Sequence, residues 1–84
     1  MQLVYDSESF AVMAVEIPVE GTDPRGAFEI VDKRGQRDIF LEGVLAETFQ
    51  AGAVTLMASK PSEDDIDAYI GRFTDVGHRP LVLH

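Results

Sequence analysis

The first half of the chain shows the hydrophobic pattern of β-strands. Residues Leu3–Ile17 are predicted to form a short strand, a turn at Asp6–Ser9 and a second strand. The run Phe10–Val15 is wholly apolar, so the second strand is expected to be covered on both faces, or to lie at the centre of a sheet with a partner on its second side. Residues 18–27 are predicted to be a loop, because two prolines, two glycines and an Asp-Pro step cannot continue a strand.

The segment FEIVDKRGQRDIFLEG, residues 28–43, predicts a β-hairpin with a two-residue turn at Arg34-Gly35. In this register one face of the hairpin is apolar, and a slip of one residue would scramble it. The opposite face is mixed, so Val31 and Phe40 are expected to be partly exposed. The predicted cross-strand pairs are Phe28 with Leu41, Ile30 with Ile39, and Asp32 with Arg37.

After Gly43 the hydrophobic period becomes that of a helix. The helix is apolar nearly all round, because the side that includes Ala51 and Val54 has few charges. Such a helix needs cover on two sides, which both a central core helix and a seam between two subunits would provide. Gly52 lowers the helix propensity and would permit close approach of another backbone. The predicted main stripe is Leu45, Phe49, Ala53, Leu56 and Met57.

A second helix is predicted after Pro61, which ends the first helix by restricting the residue before it. Ser62 and Asp65 have the spacing of a capping box. The short link SKPS makes the two helices an antiparallel hairpin. The apolar stripe of the second helix is predicted to be Ile66, Tyr69, Ile70 and Phe73.

The order of the predicted elements is β-β-β-β-α-α-β, and the last strand is LVLH at residues 81–84. Strands followed by helices are typical of the α+β class. We therefore expect one compact domain over residues 1–84. Its antiparallel sheet would have about five strands, with a two-helix hairpin packed on one face.

The composition narrows the choice of partners. The chain has 84 residues, no cysteine and a formal net charge of −8, which opposes direct binding to nucleic acid or to an anionic membrane. No stretch reaches the roughly 18 apolar residues of a membrane span, and the N-terminus lacks a signal-peptide pattern, so a cytoplasmic protein is expected. The acidity leaves a second function open, in which the protein imitates a polyanion and occupies a nucleic-acid-binding protein.

Several motifs resemble sites of chemistry without meeting their requirements. The acidic run EDDID (63–67) lacks the central glycine of a calcium loop and is explained by helix capping. The loop GTDPRGAF (21–28) lacks the Lys and Ser/Thr of a phosphate-binding loop. His78 lies in a polar connection, and His84 is the last residue. We expect no cofactor, no metal and no enzymatic activity; an enzyme or small-ligand binder with a site assembled from distant residues is a third alternative.

Three of the seven basic residues, Lys33, Arg34 and Arg37, cluster at the hairpin tip. Hairpin tips are solvated, and Arg37 has a carboxylate opposite it, so we interpret the cluster as a turn. Contact between this tip and an anionic partner is the alternative interpretation.

The chain as a whole resembles a small bacterial family of uncharacterised proteins, the domain of unknown function 3567. The resemblance rests on the opening MQLVYDS, the hairpin FEIVDKRGQRDIFLEG and the ending LVLH; EIVDK and RDIFLEG are its most specific parts. It implies a compact, cytoplasmic α+β domain encoded as a free-standing protein. It supplies no functional residues to carry over.

Together these features predict a small cytosolic protein–protein interaction module, a homodimer that also binds an unknown protein. The basis is the lack of a catalytic set, a partly apolar hairpin face and a helix with little polar surface. The candidate interface residues are Val31 and Phe40 on the sheet, Ala51 and Val54 on the helix, and Arg34 at the hairpin tip.

Overall fold

A computed structural model describes residues 1–77 as four strands followed by two helices. The sheet has the strand order β1-β2-β3-β4, and each neighbouring pair is antiparallel. The α+β class predicted from the sequence is therefore confirmed. The fifth predicted strand, residues 81–84, lies outside the described residues. The elements are β1 (Gln2–Asp6), β2 (Phe10–Ile17), β3 (Arg25–Asp32), β4 (Arg37–Leu41), α1 (Val44–Ala58) and α2 (Glu63–Gly77).

The β3–β4 hairpin has the predicted register, but its turn is wider than predicted. Asp32 pairs with Arg37, so four residues form the loop instead of two. The left-handed residue of the loop is Gln36, with φ 54°, and not Arg34 or Gly35. Glycine is suited to position 35 because a Cβ there would lie 2.5 Å from Oδ2 of Asp32, which folds over the loop.

One face of the sheet, called here the helix face, packs against both helices. On β3 it presents Phe28 and Ile30, and Ile30 is fully buried. Helix α1 packs on β3, and α2 packs on β3 and β4. The buried core of this layer is Val12, Ile30, Ile39, Leu41, Ala46, Phe49 and Ile70.

The two helices form the predicted antiparallel hairpin. Phe49 of α1 contacts Phe73 of α2 edge to face, with ring centroids 5.0 Å apart. The predicted capping box is present: the Ser62 hydroxyl accepts from the Asp65 N–H at 3.1 Å, and the Asp65 carboxylate accepts from the Ser62 N–H at 3.2 Å. These reciprocal bonds satisfy two backbone donors at the start of α2.

Gly52 permits a close approach, but of a side chain and not of a backbone. The Tyr69 hydroxyl lies where a Cβ on Gly52 would be, and it donates a hydrogen bond to the Phe49 carbonyl at 2.8 Å. Met57 also departs from the predicted stripe, because it is exposed, whereas Ala46, which lies outside that stripe, is buried. Helix α1 therefore faces the sheet mainly through its first half.

Candidate interaction surfaces

The face of the sheet opposite the helices, called here the open face, is covered by no element of residues 1–77. Strand alternation puts Ala27 and Val31 of β3 on this face, since Phe28 and Ile30 point to the helices. Phe40 remains 48% exposed and Leu3 56% exposed, and most of the other apolar side chains there are partly exposed. The apolar residues of the open face are Leu3, Ala11, Met13, Val15, Ile17, Ala27, Val31 and Phe40.

Of the two alternatives predicted for β2, the position at the centre of the sheet is the one observed. The strand lies inside the sheet between β1 and β3, and its helix face contains the buried Val12. Its other face, with Met13 and Val15, has no layer over it in the described structure. An apolar strand of this kind is typical of a sheet with cover on both faces.

Two of the candidate interface residues lie together on the open face. Glu29 pairs with Phe40 and Val31 with Asp38, so Val31 and Phe40 are diagonal neighbours across the two strands. Their partial exposure agrees with the expectation from the hairpin pattern.

The other three candidates lie elsewhere. Ala51 and Val54 are exposed on α1, on the helical layer of the molecule, and Val54 is 66% exposed. Arg34 lies at the hairpin tip, with its guanidinium 3.9 Å from the Glu8 carboxylate. The structure therefore divides the candidate residues between two apolar surfaces and one charged loop.

The second apolar surface is a groove between the helices and the β1–β2 side of the sheet. It forms because the second half of α1 extends over β1 and β2 without packing closely on them. Its volume is about 570 Å³. None of the described residues that line it is charged, and these residues are Val4, Tyr5, Val12, Ala14, Phe28, Phe49, Gln50, Ala53, Val54, Leu56, Met57, Ile66, Tyr69 and Ile70.

The cations of the hairpin tip lie beside carboxylates of the same chain. The Lys33 ammonium is 2.6 Å from an Asp6 carboxylate oxygen and donates to the Ser7 carbonyl at 2.6 Å. Arg37 is 3.1 Å from Asp32 and 3.8 Å from Asp75. This internal neutralisation supports the structural interpretation of the basic cluster.

Asp32 is the most enclosed carboxylate of this region. Its Oδ1 accepts from the Gly35 N–H at 2.9 Å, and its Oδ2 accepts from Nε of Arg37 at 3.1 Å. The backbone bond from Gly35, followed by the bond and charge of Arg37, lowers the pKa of Asp32 although burial opposes this. Asp32 is thereby held in its ionised form within the loop.

A polar cluster that the sequence did not indicate joins β1 to α2. The hydroxyls of Tyr5 and Ser7 both donate to Oδ1 of Asp67 at 2.9 Å. Burial, followed by the bond to Asp67, raises the pKa of Tyr5 to about 12. The acidic run 63–67 suggested only capping, and nothing in its spacing distinguishes Asp67 from its neighbours.

The Ser7 hydroxyl also accepts from the N–H groups of Ser9 and Phe10, at 3.2 and 3.1 Å. It thus organises the β1–β2 turn while it donates to Asp67. No histidine belongs to this cluster within residues 1–77, since His78 and His84 lie outside the described residues. The arrangement is that of a structural clasp between β1 and α2, in which every hydroxyl has a partner.

Among residues 1–77 no group of three or more His, Cys, Asp or Glu side chains is placed to hold a metal ion. None of the helices described is long and apolar enough to cross a membrane.

Comparison with known proteins gives a family match over the whole chain. Residues 1–84 match the family described as Protein of unknown function (DUF3567). The chain belongs to this family. Within it, the protein is 38% identical over 87 aligned positions to Protein BTH_I0359 of Burkholderia thailandensis, and the alignment covers 100% of both chains. No solved structure matches the chain.

Proposed function

We propose that the protein is a protein–protein interaction module that acts as a homodimer, with the open face of the sheet as its interface. The observation that supports this is the run of apolar side chains on a sheet face with no covering layer among residues 1–77. Two-layer domains bury the apolar face of a sheet against another element, and a second subunit can supply that element.

The size of the open face suits this role. Four strands spaced about 4.8 Å apart, and five to eight residues long at about 3.3 Å per residue, present roughly 400 Å² in projection. The largest apolar patch of a soluble monomer is typically about 300–600 Å² and often functional. This projected area is about half of the roughly 800 Å² per partner of a standard interface, and the relief of the side chains adds to it.

The open face is a better dimer interface than the outer side of α1. On the sheet apolar side chains occur on all four strands, and they include Met13, Val15 and Phe40. On α1 the exposed Val54 and Met57 line a groove, so a flat second copy would leave that volume unfilled. We therefore place the proposed homodimer interface on the sheet and not on α1.

The test is the molar mass in solution of the wild type, Phe40→Asp and Val54→Asp, measured by light scattering over a dilution series. We expect the wild type and Val54→Asp to have twice the 9.2 kDa mass of the chain, and Phe40→Asp to be a monomer. A carboxylate at position 40 would be buried without a partner in the dimer. Val54→Asp is the matched control, because it places the same charge on the other exposed apolar surface.

A wild type that remains monomeric at every concentration would contradict the homodimer. Loss of the dimer in Val54→Asp but not in Phe40→Asp would move the interface to α1. Urea unfolding of each variant, measured in parallel, shows whether a change of mass reflects association or loss of the fold.

A further inference from the structure

One charged residue lies within the apolar part of the open face. Glu29 is partly buried on β3, and its cross-strand neighbours are Met13 on β2 and Phe40 on β4. Covering the face would remove this carboxylate from water. A buried carboxylate without a cation is strongly destabilising, so an occupant of the face has to bring a cation to this point.

The open face itself carries two cations on β3 or just beyond its end. Lys33 is already bound to Asp6 and to the Ser7 carbonyl. Arg25, at the start of β3, is exposed and has no carboxylate within 4.0 Å among the residues that the structure describes. Alternation places Arg25 and Glu29 on the same side of the strand, two residues to either side of Ala27.

This spacing is self-complementary. We propose that two copies pack open face to open face about a two-fold axis beside Ala27, so that Arg25 of each copy pairs with Glu29 of the partner subunit. The inference rests on the proposed function, because it needs the open face to be the homodimer interface. In an isologous interface, a pair formed once is formed twice.

The neighbouring strands agree with this axis. Ala27 pairs with Val15 on β2, so Val15 lies at the same level and would face its own copy. Met13 and Ile17, two residues to either side, would then face one another across the interface. The two β2 strands would therefore bring apolar side chains together across the interface. On β3, each Arg25 would face a Glu29 of opposite charge.

The short side chain of Ala27 favours close approach at the axis. Ala27 is only 1% exposed in the single chain. Sheets packed face to face lie about 10 Å apart. At that spacing the long Arg25 side chain can reach a glutamate on the opposite sheet.

The experiment uses two charge reversals, Arg25→Glu and Glu29→Arg, separately and mixed. Each reversal alone places like charges opposite each other at both pairs, so we expect dimerisation at least about 100-fold weaker. An equimolar mixture restores two opposite-charge pairs, because one chain then carries two glutamates and the other two arginines at positions 25 and 29. The mixture is expected to form dimers that contain one chain of each kind, detected by native mass spectrometry.

Comparing the two variants with each other also shows whether overall net charge affects dimerisation. The two reversals shift the formal net charge of −8 by two units in opposite directions. If overall repulsion governed association, Glu29→Arg would dimerise more strongly than the wild type, which would overturn the proposal. Dimers of either single variant that equal those of the wild type would also overturn it.

The failure of this inference is distinguishable from failure of the proposed function. If Phe40→Asp is monomeric while both charge reversals dimerise normally, the interface stands and the Arg25–Glu29 register is wrong. If the mixture of reversed chains stays monomeric although each chain is folded, the register is wrong as well. A monomeric wild type overturns both proposals.

Discussion

The two faces of the sheet have similar alternating apolar residues and very different surroundings. On β4, Leu41 points to the helices and is fully buried, whereas its neighbour Phe40 points away and is 48% exposed. On β3, Ile30 is fully buried and Val31 only partly so. The difference lies in what covers each face: α1 and α2 lie over one, and no element of residues 1–77 lies over the other.

This contrast separates the residues that stabilise the fold from those available for association. Burial of an aliphatic side chain contributes about 1.5–3 kcal/mol, so the helix face supplies much of the stability of so small a domain. Side chains of the open face can contribute a similar free energy only when a second surface covers them. Substitutions on the two faces should therefore change different measured quantities.

The largest expected effect comes from truncating the helix face. Leu41→Ala should lower the free energy of unfolding by about 2–5 kcal/mol, because it removes a fully buried side chain and leaves a cavity. Phe40→Ala, one residue away, should cost about 1 kcal/mol or less in the monomer. The measurement is urea unfolding, at dilutions where the transition no longer depends on protein concentration.

If Leu41→Ala fails to fold, Ile39→Val on the same face gives a milder test, with an expected loss of about 0.5–1.5 kcal/mol. If Phe40→Ala and Leu41→Ala lowered the free energy of unfolding of the monomer equally, the proposed difference between the two faces would be wrong, because both faces would be packed alike.

A smaller effect is expected at the hairpin end of the helix face. Asp32→Asn should cost about 1–2 kcal/mol at neutral pH, since it removes the charge that binds Arg37 and the Gly35 N–H. The folded pKa of Asp32 is lowered, so its contribution is complete above the unfolded value of 3.8 and is lost as pH falls through the folded pKa.

The check is urea unfolding of the wild type and Asp32→Asn from neutral pH into the acid range. Their difference should shrink below about pH 4. Asp38→Asn, on the open face of the same hairpin, is the control for the loss of a carboxylate, because Asp38 is exposed. A constant difference between wild type and Asp32→Asn would contradict the ionised state assigned to Asp32.

The smallest effect is expected at the clasp between β1 and α2. Tyr5→Phe should cost about 0.5–1.5 kcal/mol, because it removes one hydroxyl donor to Asp67 while Ser7 still donates to the same oxygen. The folded pKa of Tyr5 is raised from 10.0 to about 12, so the contribution is complete below pH 10 and is lost as pH rises toward 12.

Tyrosinate absorbance measures this shift directly. Tyr5→Phe should remove the titration near pH 12 and leave that of Tyr69, the other tyrosine. A Tyr5 that titrates at its ordinary value in the folded wild type would show that the clasp does not hold in solution. The helix face would then be open at the edge where β1 meets α2.

The elements whose formation depends on near neighbours could be predicted from the sequence. The hairpin register follows from alternation, because any other pairing would mix Ile30 and Ile39 with charged residues. The capping box of Ser62 and Asp65 follows from side chains three residues apart. The apolar stripe of α2 follows from its period.

The candidate surface was only partly predictable. Alternation indicated that Val31 and Phe40 share a face, but the pattern of α1 could not show that Val54 would border a groove. The direction in which a helix leaves the sheet depends on its contacts with other elements. Here the ring of Phe49 packs between Phe28 of the sheet and the α2 rings of Tyr69 and Phe73. These contacts hold the first half of α1 against the sheet.

The strands, the helices, the pairing of the hairpin and the α+β class could be predicted from the residue pattern, because local periodicity and turn chemistry act over a few residues. Which apolar faces are covered, and where distant polar groups meet, depends on the packing of whole elements in three dimensions. Asp67 binds Tyr5 and Ser7 from about 60 positions along the chain, and Gly52 makes room for Tyr69. Such contacts depend on how whole elements pack, and packing joins residues whose spacing in the sequence carries no signal.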